Sequence, residues 1–267
     1  MLQQLELLEY FKQCDYDWTA YSEDVLDIVF NTKNYGDERK IGLRDPQFRC
    51  GHEQPFLLQS IINSIDAESY FEIGTALGCS VYSAAIMPTI RYAASVDIVP
   101  SNVPRGPSRY NKGKYSLDSC FSGLKKEVQK KISHKLDLRC VENTRSKDQS
   151  NWHEDYYKAL TSDFGKKPEF DVCFIDGDHK NYEVLIKDYF LCKKLVRPGG
   201  YIIFDDYVDR QSYKVVEAVN HILKLENLPS EKRKASQIKP YGKLFHGEHD
   251  SNRLSREGEN SLVILEM

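Results

Sequence analysis

The sequence predicts an α/β fold: a mostly parallel sheet with helices on both faces, preceded by an N-terminal helical cap. Three observations predict it. Beyond residue 65, short β-rich runs alternate with longer helical patterns, the signature of a parallel sheet layered by helices. Several of those runs (VCFI, YIIF, LVIL) show almost no polar alternation, as strands buried on both faces require. Glycine-bearing and acidic turns follow the strands, where an open parallel sheet gathers its ligand.

Leu2, Leu5, Leu8 and Phe11 fall near helical spacing and predict an amphipathic helix over 2–12. Ser22 is a suitable N-cap for a second helix running to Phe30. Residues 31–54 contain Gly36, Gly42, Pro46 and Gly51 with little periodicity and read as loop or cap; PFLLQSIINSI over 55–65 returns to a helical pattern. Residues 1–65 are therefore expected to form the cap, and 66–267 the α/β core.

In the core the expected strands are 70–73, 92–97, 136–141, 171–175, 201–204 and 261–266. The expected helices are 80–86, 119–132, 152–164, 181–195 and 211–227. Two segments break the rhythm. Residues 100–116 hold three prolines, two glycines and several basic side chains, and residues 229–258 are polar and charged. Both read as loops, the second with a short strand near 243–246.

Composition narrows the function. A chain of 267 residues with 37 basic and 40 acidic side chains has a formal net charge of -3, which gives no electrostatic footprint for nucleic acid. Seven cysteines form no C-x-x-C pair, so neither a disulfide scaffold nor a zinc cluster is indicated, and reduced thiols in a cytoplasmic protein are expected. The N-terminus lacks the basic start and apolar stretch of a signal peptide, and no apolar run approaches the ~20 residues of a membrane helix.

The strongest local signal is Phe71-Glu72-Ile73-Gly74-Thr75-Ala76-Leu77-Gly78: a strand, a turn on small residues, then a helix from about Cys79–Ser80. Gly74 permits a tight turn and close approach of a ligand to the backbone. The spacing is E-x-G-x-A-x-G and not the dinucleotide G-x-G-x-x-G. Glu72 is expected to point into the crevice, where an anionic side chain suits an amine-bearing ligand better than a pyrophosphate. The ordinary alternative is a strand–helix turn without a ligand. Asp97 ends the next strand about 25 residues later, where an acid commonly accepts from ribose hydroxyls.

Two further strands also end in acids. FDVCFIDGD delivers Asp176 and Asp178, with His179 next; PGGYIIFDD delivers Asp205 and Asp206. If these strands are neighbours, the carboxylates converge at the edge that carries the glycine turn. Converging carboxylates repel unless neutralised, and a hard divalent cation does this with oxygen ligands. Asp178 or His179 would then be placed to take a proton. The alternative is surface acid in loops. His246 and His249 lie in a polar segment and read as solvated, as do His52 and His153.

Together, Glu72-x-Gly74-x-Ala76-x-Gly78, Asp97 and IDGDHKNYEVLIKDYFLCKKLVRPGGYIIFDDY resemble the class I S-adenosylmethionine-dependent methyltransferases. The second block is similar to the branch of macrocin-type sugar O-methyltransferases and cephalosporin-hydroxylase-like proteins. The resemblance covers roughly residues 68–208. It implies a Rossmann-like, mostly parallel seven-stranded sheet and S-adenosylmethionine as cofactor. Glu72, Gly74 and Gly78, with Thr75, Ala76 and Ser80 in the same turn, match the loop holding the amino acid part. Asp97 matches the ribose-binding acid, and Glu142 falls near the adenine position. In the metal-dependent branch Asp176, Asp205 and Asp206 would bind Mg²⁺, with Asp178 or His179 as base. Ala76 departs from the common glycine, and the spacing leaves open whether Asp176 or Asp178 is the ligand.

The implied function is Mg²⁺-dependent O-methylation of a small hydroxylated acceptor, a sugar or natural product, by a protein free of membrane contacts, with a homo-oligomer left open. Competing readings are a metal-independent methyltransferase acting on nitrogen or a macromolecule, an NAD or nucleotide-sugar oxidoreductase, and a non-catalytic binding protein. The basic segment with Arg105, Arg109, Lys112 and Lys114 beside Tyr110 and Tyr115 is the one feature suggesting an anionic partner; it reads more simply as a mobile lid.

Overall fold

The computed structural model describes residues 53–104, 115–141, 152–165, 167–207, 212–228, 233–238 and 260–267, with Asp24 and Ile28. The first expected helix, residues 31–52, the basic segment 105–114, Glu142, His52, His246, His249 and the expected strand at 243–246 lie outside them, as does most of the second expected helix.

The chain runs α1 (Glu53–Ser64), β1 (Ser69–Ile73), α2 (Cys79–Ala85), β2 (Tyr92–Asp97), α3 (Leu117–Gly123), α4 (Lys126–Ile132), β3 (Leu136–Cys140), α5 (Trp152–Phe164), β4 (Phe170–Ile175), α6 (Tyr182–Leu195), β5 (Val196–Phe204), α7 (Val215–Leu225), β6 (Arg233–Ile238) and β7 (Asn260–Glu266). The seven strands form one sheet in the order β3-β2-β1-β4-β5-β7-β6. The first five are parallel; β7 pairs antiparallel with both β5 and β6. The order reverses at β1, so its carboxyl end and that of its neighbour β4 flank the switch point where open sheets bind ligands.

Both faces of the sheet are covered. Tyr70, Val172, Phe174, Ile203 and Ile264 pack under α1, α2 and α4, and Ile28 joins this layer. Phe71, Ile73, Cys173, Ile175, Ile202, Phe204 and Val263 pack under α5, α6 and α7. Successive strand residues thus enter opposite apolar layers, and this removes the polar alternation from the sequence. No helix among the described residues is long and apolar enough to cross a membrane.

The structure departs from the expected elements in four places. The single helix expected over 119–132 is two, because Leu124 and Lys125 adopt extended backbone after Gly123. Leu124, Val128 and Ile132 are buried. A capping box between Ser116 and Ser119 starts the first piece two residues earlier than expected. β5 begins at Val196 and carries Pro198-Gly199-Gly200 within it, where the register with β4 shifts between Phe170 and Val172. A Cβ at Gly200 would lie 2.7 Å from the Asp171 carbonyl oxygen, so only glycine lets the strands close here. The segment read as loop over 229–258 contains β6, and the helix expected over 211–227 is confined to Val215–Leu225.

At the opposite edge of the sheet from the acidic turns, Asp171 ties β1 to β4 and β5. Its Oδ2 accepts from the Glu68 and Ser69 amides at 2.9 and 2.8 Å and from Ser69 Oγ at 2.7 Å, and its Oδ1 accepts from Arg197 Nε. These bonds outweigh partial burial and hold the carboxyl below its ordinary range. Asp171→Ala would take the shared acceptor from four donors, at a cost of about 2–3 kcal/mol in urea unfolding at pH 7. The difference should shrink as pH falls through the depressed folded-state value, because the wild-type carboxylate then becomes protonated.

Candidate active site

The turn after β1 is built by its glycines. Gly74 has φ 96°, and its amide donates to the Val96 carbonyl at 2.8 Å. A Cβ there would sit 2.2 Å from the Asp176 carbonyl oxygen, so the β1 and β4 turns touch backbone to backbone. Gly78 has φ 88° and opens α2; a Cβ on it would meet the Tyr82 ring at 2.4 Å. Between them Ala76 takes φ 45°, a left-handed conformation that glycine holds without strain. Its amide donates to Asp97 Oδ2 at 2.9 Å, so the turn is tied to the acid at the end of β2. Asp97 Oδ1 in turn accepts from the Val99 amide at 2.8 Å.

Glu72 differs from expectation. Its side chain is fully buried, and not presented to an open crevice. It lies on the α2 face of the sheet, where Oε2 accepts from Tyr70 Oη at 2.8 Å and Oε1 from Ser95 Oγ at 3.1 Å, with Ser80 a third partner. Ser95 Oγ is also 2.6 Å from Thr75 Oγ1, so a chain of hydroxyls joins the carboxylate to the turn. Burial pushes the Glu72 carboxyl up to about 7, against the lowering effect of its hydrogen-bond donors.

On the other side of the turn, Asp176 leaves β4 with its amide on the Ile73 carbonyl at 2.9 Å, and Asp205 leaves β5 with its amide on the Ile175 carbonyl at 3.0 Å. This ladder brings Asp176, Asp205 and Asp206 together: one carboxylate oxygen from each lies within 4.8 Å of the others, and all three residues are half-buried. Asp206 has φ 55°, a strained conformation of the kind that gathers at functional sites.

Asp178 is not part of that group. It is exposed, and its Oδ1 accepts from the Lys180 and Asn181 amides, closing the turn into α6. Asn181 then caps that helix by accepting from the Glu183 amide at 3.0 Å. His179 faces the cluster, with Nδ1 3.3 Å from Asp206 Oδ2. The Tyr213 ring lies 4.3 Å from the imidazole, and the Lys214 amide donates to the His179 carbonyl at 2.8 Å. Geometry thus separates the two proposed bases: Asp178 is engaged with backbone, and His179 is aimed at carboxylates.

One reading of the sequence is overturned. His153 is not solvated: its Nε2 is 2.7 Å from Asp188 Oδ1, and Asp188 is fully buried. Burial pushes the Asp188 carboxyl up, with His153 acting against it. Spacing carried a signal for both residues. His153 precedes Tyr156 and Leu160 by three and seven positions on the inward face of α5, and Asp188 stands among Leu185, Tyr189, Cys192 and Leu195 on that of α6.

The same region is matched by known proteins. Residues 71–207 match a family described as a methyltransferase domain. The chain is 27% identical to Tapetum-specific methyltransferase 1 of Arabidopsis thaliana over 157 residues, 58% of this chain and 53% of that protein. It is 54% identical over 54 residues to an uncharacterized protein of Acanthamoeba polyphaga mimivirus, 20% of this chain and 24% of that one. The chain therefore spans about a quarter and about half of the lengths of these two relatives. Among solved structures, the O-methyltransferase TomG from Streptomyces achromogenes, involved in tomaymycin synthesis and in complex with SAM, aligns with a TM-score of 0.53 and 16% identity over 92% of this chain and 90% of that one. The O-methyltransferase from Bacillus cereus in complex with SAH aligns with a TM-score of 0.51 and 17% identity, over 93% and 91%. At these identities the two structures establish the shared fold. With its family match spanning just over half the chain and covering the glycine turn, Asp97 and all three clustered carboxylates, this protein belongs to the methyltransferase domain family.

Proposed function

We propose that the protein is an S-adenosylmethionine-dependent O-methyltransferase that holds Mg²⁺ with Asp176, Asp205 and Asp206 and acts on a small hydroxylated acceptor, a sugar or natural product. The observation that carries this reading is the meeting of three carboxylates within 4.8 Å beside the glycine turn. Three half-buried carboxylates at that spacing repel one another, and an oxygen-seeking divalent cation is the partner that their chemistry fits.

The turn likewise fits the cofactor. Gly74 and Gly78, both at positive φ, hold the tight turn against Asp176 and Tyr82, with Thr75 and Ala76 between them and Ser80 following. Asp97 ends β2 against the same turn, bound to the Ala76 and Val99 amides, at the place where an acid accepts from ribose hydroxyls. Glu72, buried behind the turn, would act on the amino acid part through Ser95 and Thr75. Glu142 remains the proposed adenine contact from its place after β3.

S-adenosylmethionine supplies an electrophilic methyl group on a sulfonium, and a divalent cation at the cluster supplies charge that lowers the pKa of an acceptor hydroxyl. The chain's own residues then have two tasks. The three carboxylates would hold the cation and, through it, position the acceptor oxygen. His179, turned to Asp206 and with its ring against Tyr213, would accept the hydroxyl proton as the oxygen–carbon bond forms and the carbon–sulfur bond breaks. Asp178, engaged with the turn into α6, is the lesser candidate.

Calorimetric titration with S-adenosylhomocysteine, followed by transfer of labelled methyl to a panel of hydroxylated acceptors with Mg²⁺ or a chelator, tests this. Micromolar product binding is expected, with transfer lost on chelation. Asp205→Ala should lower the rate by about 10²-fold or more while product affinity changes little. Transfer that survives chelation would replace this reading with the metal-independent one. Absence of product binding would remove the methyltransferase cofactor altogether, and NAD and nucleotide-sugars would be tried next.

A further inference from the structure

The pair His153–Asp188 takes no part in the proposed reaction, yet it reaches the loop that carries the acidic cluster. A buried acid–base pair is weak evidence for stability, because an apolar pair of similar volume commonly serves as well. What the pair touches says more. One carboxylate oxygen of Asp188 is bound to His153 Nε2. The other, Oδ2, has no hydrogen-bond partner and faces the loop: a Cβ built on Gly177 would lie 3.5 Å from it and 3.3 Å from Ile73 Cγ2. Gly177 stands between Asp176 and Asp178, so little more than the width of a methyl group separates the loop backbone from Asp188 and Ile73.

The carboxylate is itself held from the far side. The Trp152 ring stacks on the His153 imidazole with centroids 3.7 Å apart, and His153 is anchored in the first turn of α5. The loop is closed from above by the Asp178 turn and tied laterally by the Asp176 amide to Ile73.

We propose that His153 and Asp188 are a positioning pair that supports the Asp176–Asp178 backbone from beneath and sets where Asp176 meets Asp205 and Asp206. The functional consequence rests on the reading of those three carboxylates as the reacting end of the site; the mechanical part does not.

The test uses the full-length chain with His153→Leu and Asp188→Leu combined, which replaces the pair by apolar volume. Hydrogen exchange at the Asp176, Lys180 and Asn181 amides should accelerate by about tenfold or more, while core amides of β4 and α6 and the melting temperature stay at wild-type values. His153→Gln, which keeps a donor near the Nε2 position, should return loop exchange to within about threefold of wild type. Mn²⁺ titration should show affinity about tenfold weaker in the double variant, with S-adenosylhomocysteine affinity little changed. Loop exchange equal to wild type, or rising in the same ratio as the core, would overturn the proposal and leave the pair as ordinary packing. If wild type binds no Mn²⁺, the metal reading fails, and loop exchange still decides the positioning role. Should the double variant not fold, Asp188→Leu alone is read by the same loop-to-core ratio.

Discussion

Gly74→Ala is expected to destabilise the protein by about 3–5 kcal/mol and to abolish binding of S-adenosylhomocysteine. Two separate costs combine. The backbone at φ 96° is strained for any L side chain, which alone is worth about 1–2 kcal/mol. The added Cβ would also lie 2.2 Å from the Asp176 carbonyl oxygen and 2.6 Å from its carbon. Both are backbone atoms held in the β1–β4 ladder, so neither can rotate away, and relief requires the two turns to separate. That separation moves Asp176 from Asp205 and Asp206 and disturbs the amide that Gly74 donates to Val96. Gly165→Ala is the control. It has φ 63° with nothing within 4 Å of a built Cβ, so its cost is confined to about 1–2 kcal/mol of backbone strain. Urea unfolding of both variants decides the matter: equal losses would mean that the β1–β4 contact has no energetic weight.

Glu72→Gln is expected to stabilise the unliganded protein at pH 8 by as much as about 3 kcal/mol, with the gain vanishing near pH 4. The sign follows from the raised carboxyl. Glu72 titrates near 7 in the folded chain against an ordinary 4.5, with burial as the main cause. Below pH 4.5 the carboxyl is neutral in both states and burial is unopposed. Between 4.5 and 7 the unfolded chain releases a proton that the folded chain retains, so the wild type loses stability as pH rises, and above 7 the loss is complete. Glutamine is neutral throughout and keeps the shape that Tyr70, Ser80 and Ser95 surround. The same variant should bind S-adenosylhomocysteine more weakly above pH 7, if the Glu72 anion answers the ligand's amino group through Ser95 and Thr75. Unfolding free energies measured from pH 4 to pH 8 check the first part. A difference between variant and wild type that does not change with pH would sink it.

Most of the core was legible in the chain itself. VCFI and YIIF sit in β4 and β5 with both faces covered, and the acids that follow them emerge at the same end of the sheet as the glycine turn. The helices of the α5 and α6 segments were expected to within one residue, since apolar spacing and the Asn181 cap are local signals. Local signals failed where packing overrides them. The chain over 119–132 reads as one helix by its apolar spacing, and it breaks after Gly123, where Leu124 leaves the helical region. β6 is polar in sequence and becomes a strand by pairing along the edge of β7.

By itself the sequence determined the alternating layers, the conformation demanded by the glycine turn and the acids at the ends of β2, β4 and β5, because these depend on residues adjacent in the chain. Tertiary structure decided the rest. Glu72 turned out buried among hydroxyls, since strand alternation places it beneath α2. Asp176 joined Asp205 and Asp206 while Asp178 closed its own turn, a choice made by the register of β4 on β5. His153 found Asp188, 35 residues away, only through the packing of α5 beside α6. Each of these outcomes depends on where a second segment lies in space, and no periodicity along the first segment encodes that distance.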